Sequence, residues 1–118
     1  MDARGLLADK ELVADFTQRL TRRFGDRIAR AIFFGSRARG LASPASDYDL
    51  LLVLREKDRG LVEQVYDEAL EFLLTTGQDL SLKIYTAKAF QAGLARRSPF
   101  LVSVVATGIE LWSAPPRP

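Results

Sequence analysis

The sequence predicts an α/β or α+β domain built on a small mixed sheet of three to four strands with helices on one face, and three observations predict it. Apolar residues recur at helical spacing over 9–24 and again over 61–74. Short apolar runs of strand length lie between and after them, at 28–34, 47–54 and 79–85. Glycines or polar turns punctuate each change of period. The resulting order is helix, strand, turn, strand, helix, strand, helix, helix and a short strand. Packing helices against such a sheet is the simplest way to cover its apolar side.

The elements follow in order. Leu12, Val13, Phe16 and Leu20 form one stripe of a helix over Asp9 to Phe24, and Gly25 suits its end. Ile28 to Phe34 reads as a strand broken by Gly35. Ser36 to Gly40 makes a turn or short helical entry, and Leu41 to Ser46 a loop carrying Pro44. Asp47 to Leu54 is the second strand, whose nearly continuous apolar second half fits a central position. A second amphipathic helix, Leu61 to Leu74, turns Val62, Val65, Tyr66, Ala69, Leu70 and Leu73 inward, and Gly77 closes it. After a third strand, Asp79 to Tyr85, Thr86 caps a helix from Ala87 to about Arg96. Ser98 with Pro99 opens the last helix, which Gly108 ends, and Ile109 to Trp112 supplies an edge strand. Tyr85 and Trp112 read as core or edge packing. The expected division is a domain over 1–112 and a proline-rich flexible tail over 113–118.

Composition narrows the chemistry. With 118 residues, the chain holds one domain. Cysteine and histidine are both absent, which excludes disulfides, thiolate or imidazole metal sites and any histidine-based triad. Metal chemistry here must use oxygen ligands, which suit hard ions such as magnesium or manganese. A net charge of only +2 gives no indication of nucleic acid. The early arginines, Arg19, Arg22, Arg23, Arg27 and Arg30, read first as a solvated helix face with flanking turns. No apolar run reaches the length of a membrane span, and the N-terminus lacks the apolar stretch of a signal peptide. Cytoplasmic residence is the expectation.

Two clusters carry the chemistry. In a strand, residues two apart share a face, so Asp47 and Asp49 project side by side. Two carboxylates so close repel unless a cation sits between them. The second cluster is Gly35-Ser36-Arg37-Ala38-Arg39-Gly40. Gly35 lets backbone approach a ligand closely, N–H groups at a helix start attract phosphate, and Ser36 adds a hydroxyl. The turn is neither a Walker A loop nor a dinucleotide fingerprint, because the lysine and the glycine spacing are wrong. Leaving one strand and opening the next, the two clusters meet at one end of the sheet. A phosphate cradle then faces a metal site.

This pair, Gly35-Ser36 through Gly40 followed by Ser46-Asp47-Tyr48-Asp49 and the apolar run Leu50 to Val53, resembles the signature of the DNA polymerase β-like nucleotidyltransferase superfamily. In size and pattern the chain is most similar to its minimal nucleotidyltransferases, and the likeness covers nearly the whole chain. The resemblance implies that fold and two magnesium ions, with manganese an alternative. It implies that Gly35 and Ser36 hold the triphosphate of an NTP, ATP foremost, and that Asp47 and Asp49 bind both ions. A third carboxylate from a later strand would complete the metal site and help activate the acceptor hydroxyl. Asp79 is the candidate, since Asp79, Ser81 and Lys83 share one strand face. If the position belongs to Ser81 instead, the third ligand is missing. Arg37 and Arg39 stand beside the phosphates in this scheme: one neutralises the leaving pyrophosphate, or either is simply solvated. Lys83 is a weaker phosphate contact.

The resemblance further implies a separate HEPN-type helical partner, which the chain would adenylylate on a hydroxyl as the antitoxin of a toxin–antitoxin pair. Two other readings stand beside it: transfer to a small molecule or RNA end, and a degenerate domain that binds a nucleotide or partner without catalysis. The apolar terminal helices and the edge strand offer surfaces for a homodimer or a hetero-oligomer.

Overall fold

The computed structural model describes residues 3–41 and 46–116. The first helix, α1 (Ala3–Phe24), begins earlier than its apolar stripe predicts. Neither proline nor a capping residue interrupts the segment before Asp9, whose carboxylate is engaged elsewhere. After a single 3-10 turn at Gly25–Arg27 the chain enters β1 (Ile28–Phe34), α2 (Gly35–Ala38) and β2 (Tyr48–Leu54). Most of the predicted loop Leu41 to Ser46 lies outside the described residues. The chain continues through α3 (Arg59–Thr76), β3 (Leu80–Thr86), α4 (Ala87–Ala95), α5 (Pro99–Thr107) and β4 (Ile109–Ser113).

Local chemistry sets most of these boundaries. The Asp58 carboxylate accepts the Leu61 N–H at 3.0 Å and starts α3. Gly77 ends it in the left-handed conformation, at φ 72°. Thr86 and Ser98 cap α4 and α5 through the N–H groups of Ala89 and Leu101. Pro99 occupies the first turn of α5, where its missing N–H costs nothing.

Among the described residues the sheet has four strands, in the order β3-β2-β1-β4. β1 pairs antiparallel with β2 and with β4, while β2 and β3 run parallel, with α3 as their crossover. The expected mixed sheet is therefore present, but the helices, expected on one face, cover both. Val13, Phe16 and Leu20 of α1 and Leu61, Val65 and Phe72 of α3 pack on Ala31, Phe33, Leu50, Leu52, Leu54 and Leu80. Phe90 of α4 and Leu101 and Val104 of α5 pack on Ile32, Leu51 and Val53. The reason is in the strands: β1 and β2 carry apolar residues at alternate positions of both parities, so both faces need cover. Each fully buried side chain of this size contributes about 1.5–3 kcal/mol.

The rotation of α3 also differs from expectation. Leu61, Val65 and Phe72 are buried, Val62 and Ala69 partly so, whereas Tyr66, Leu70 and Leu73 are exposed. The helix has more apolar residues than one sheet face accommodates, and the large ring of Phe72, edge-on to Phe16 at 5.5 Å, takes the inward position. The early arginines are partly tied down. Arg19 and Arg23 both reach Glu68 of α3, Arg27 reaches Asp58, and Arg30 reaches Glu110 of β4. Of the residues expected as tail, Ser113 closes β4, Ala114 donates its N–H to Ala29 and Pro115 accepts from Arg55. No helix among the described residues is long and apolar enough to cross a membrane.

Candidate active site

Three strand ends converge. β1 runs out at Phe34, antiparallel β2 begins at Tyr48, and β3, parallel to β2, begins at Leu80. The register places Asp49 between Phe34 and Ser81. Alternation then sorts the neighbours. Tyr48, Leu50 and Leu52 face α1 and α3, while Leu51 and Val53 face α4 and α5. Asp49 shares the parity of the second face and is half-buried.

Gly35 leaves β1 at φ 83°, a conformation that side chains rarely adopt. A β-carbon on it would run into the Asp49 carboxylate, so the two clusters read from the sequence are in contact. The turn after Gly35 is wound tightly: the Arg39 N–H reaches the Gly35 carbonyl at 3.2 Å, and the Leu41 N–H reaches that of Ser36 at 2.8 Å. Ser36 is half-buried and the Arg39 side chain exposed.

The Asp49 carboxyl is pushed above the ordinary carboxylate range, first by burial and then by the negative charge of Asp47. The Lys83 ammonium and a hydrogen bond from the Ser81 hydroxyl pull it back. Asp47 itself is exposed. This is an electrostatic setting that a cation between the two carboxylates relieves. Asp79 is exposed and stands just ahead of β3, its carbonyl accepting the Tyr48 N–H at 3.2 Å. The residue paired with Asp49 is thus Ser81, and Asp79 stands one step outward. Among the described residues no three carboxylates gather closely enough to hold a metal ion together.

Arg37, expected beside phosphates, points the other way. It is buried, its Nε donates to the Ser46 carbonyl at 2.7 Å, and Nη1 meets the Asp9 carboxylate at 3.2 Å. Its guanidinium lies 4.2 Å from the centre of the Tyr48 ring, and the Tyr48 hydroxyl donates to Asp9 at 2.9 Å. Burial and then the Asp9 hydrogen bond and charge raise the Tyr48 pKa, with Arg37 opposing. This network ties α1 to the turn and to the residue preceding Asp47. Sequence reasoning missed Asp9 and Tyr48. The available signal was the parity of Tyr48, which lies between the two aspartates and so faces the core.

A family model described as a nucleotidyltransferase domain matches residues 13–105. A curated protein of Methanocaldococcus jannaschii, named "Putative protein adenylyltransferase", is 33% identical over 73 residues, 59% of this chain and 50% of its own. The chain thus spans about half the length of that relative. A chain in the crystal structure of a toxin–antitoxin with AMP-PNP superposes with a TM-score of 0.58 at 20% identity, covering 86% of this chain and 73% of that one. A chain from the structure of a tri-AMPylated Shewanella oneidensis HEPN toxin in complex with MNT antitoxin gives 0.51 at 17% identity, over 88% and 72%. At these identities the likeness is one of fold.

Proposed function

The chain belongs to the nucleotidyltransferase domain family, and from that membership we propose that it moves a nucleoside monophosphate, AMP from ATP, onto a hydroxyl of a partner protein. The observation that carries this reading is the contact between the Gly35 turn and the Asp49 carboxylate, with Asp47 beside it. Phosphate needs close backbone approach and donors, and a divalent cation needs oxygens. Gly35 and Ser36 supply the first and the two aspartates the second.

In this scheme Asp47 and Asp49 would hold a magnesium ion together with the nucleotide, and an ion held there would supply positive charge to the phosphates and Lewis acidity to the group being transferred. Gly35 gives the Asp49 carboxylate room beside the turn, and the Ser36 hydroxyl and the turn's N–H groups orient the polyphosphate. Arg39, exposed at the end of the turn, neutralises the leaving pyrophosphate in this scheme. Arg37 acts indirectly, by fixing the Ser46 carbonyl and hence the entry to Asp47. The acceptor hydroxyl attacks the α-phosphate, the bond to the leaving pyrophosphate breaks, and Asp79, just ahead of β3, takes the hydroxyl proton.

A HEPN-type toxin is the partner we assign, with this chain as its antitoxin. Support comes from the protein-adenylyltransferase name of the archaeal relative and from the shared fold with chains of toxin–antitoxin complexes. A second reading, nucleotide binding without transfer, is favoured by one observation: Ser81, not an acid, stands opposite Asp49.

The deciding experiment incubates the protein with magnesium, ATP labelled at the α-phosphate, and lysate of its own source. An Asp47→Asn variant runs beside it. Label that appears on a protein band with the native chain and disappears with the variant is the expected result. Equal labelling in both, or none in either, removes the protein-modifying reading.

A further inference from the structure

The family resemblance calls for two metal ions, and the donors in this site suit fewer. We propose that the site takes a single divalent cation together with its nucleotide, and that the Lys83 ammonium supplies the second positive charge facing the polyphosphate. The inference rests on the nucleotide-site reading above and specifies its ionic requirement.

The strand register is the first argument. Asp49 is opposed by Ser81, and Lys83 follows two residues later on the same face, opposite Leu51. Ser81 is neutral, so it brings no anionic oxygen to the place where a second hard cation would need one.

Charge is the second argument. Two carboxylates balance one divalent ion. A second ion would share this strand face with the Lys83 ammonium and be repelled by it. No ion pair among the described residues uses Lys83. Its long side chain is exposed on the edge strand and free to turn toward phosphate oxygens. Asp79, exposed ahead of β3, does not join Asp47 and Asp49 in a group of three that could hold an ion. Residues 42–45 are Ala, Ser, Pro and Ala, and no group of three acids forms among the described residues. Magnesium is commonly held by one or two carboxylates with the rest of its shell from phosphate and water, which this site provides once.

The test counts ions rather than turnover. Manganese is titrated into the protein with a non-hydrolysable ATP analogue, and bound metal is read by electron paramagnetic resonance. One manganese per chain is expected, and two would overturn the proposal. Lys83→Met should weaken binding of the manganese–nucleotide complex roughly tenfold; unchanged affinity would remove the lysine from the site. The double variant Ser81→Asp with Lys83→Met should raise the count to two, and a count that stays at one would refute the assignment of the missing ligand to these two positions. Both positions lie on an edge strand and neither is in the core, so circular dichroism should show the native fold throughout. Failure of the native chain to bind nucleotide at any metal concentration would instead remove the nucleotide-site reading itself.

Discussion

The Asp49 carboxylate occupies the space that a side chain on Gly35 would fill. The two halves of the candidate site therefore depend on one missing β-carbon. Gly35→Ala must strain a left-handed backbone and displace Asp49 as well. We expect a stability loss of roughly 1–3 kcal/mol and loss of metal-dependent nucleotide binding. Thermal melting and calorimetric titration read the two effects separately. An alanine variant that binds the nucleotide normally would show that the contact has no role in the site.

Asp49 should reveal itself through a conflict between stability and function. Its ionised form is disfavoured by burial and by Asp47, so at neutral pH the charge works against folding in the absence of metal. Asp49→Asn removes that charge while keeping the shape. The variant should melt above the native protein in EDTA and should lose the stabilisation that magnesium and ATP give the native chain. A variant that melts lower in EDTA would contradict the electrostatic account.

The order of elements was legible because the signals were local. Gly77, Thr86 and Ser98 act on their own helix ends, and no distant partner changes what they do. The errors concern relations between distant segments. Periodicity shows that α3 is amphipathic, but Phe16 across the core decides that Phe72 faces inward while Leu73 faces water. Likewise Leu50 to Leu54 marks a strand with two apolar faces, but which helices cover each face depends on where α1, α3, α4 and α5 pack.

The candidate site divides in the same way. Gly35, Asp47 and Asp49 were legible from spacing within one turn and one strand. Whether Asp79 or Ser81 stands beside Asp49 is a question of register between strands, fixed here by the pairing that sets the Tyr48 N–H on the Asp79 carbonyl. The direction of Arg37 depends on Asp9, far away in sequence, and no local pattern announces it.

Asp58 offers a test of pH dependence away from the site. Its carboxyl lies below the ordinary carboxylate range, chiefly through the Leu61 N–H and then through Arg27. A lowered folded-state pKa means that the ionised form stabilises the fold. That contribution is present in full above the usual carboxylate pKa and is lost as pH falls through the lower folded value. Asp58→Ala should lower the melting temperature at neutral pH, and the gap to the native protein should narrow in acid. Asp58→Asn keeps a cap without the charge, so it should recover part of the loss and flatten the acid dependence. A gap that stays constant with pH would remove the charge from the explanation.

The final expectation concerns Asp9, which holds Arg37 and Tyr48 together beneath the turn. Asp9→Ala removes the carboxylate that meets both the Arg37 guanidinium and the Tyr48 hydroxyl, so it should cost roughly 1–3 kcal/mol. Arg37→Lys should fail to restore the network. A lysine cannot present one nitrogen to the Ser46 carbonyl and another to Asp9 while stacking on the Tyr48 ring. Since Ser46 precedes Asp47, both variants should also weaken binding of the magnesium nucleotide, whereas a core truncation of similar cost such as Leu20→Ala should not. Comparing affinities at temperatures where all three are folded separates the cases. If Leu20→Ala weakens the nucleotide as much as Asp9→Ala does, the network is a piece of general stability and not a support for Asp47.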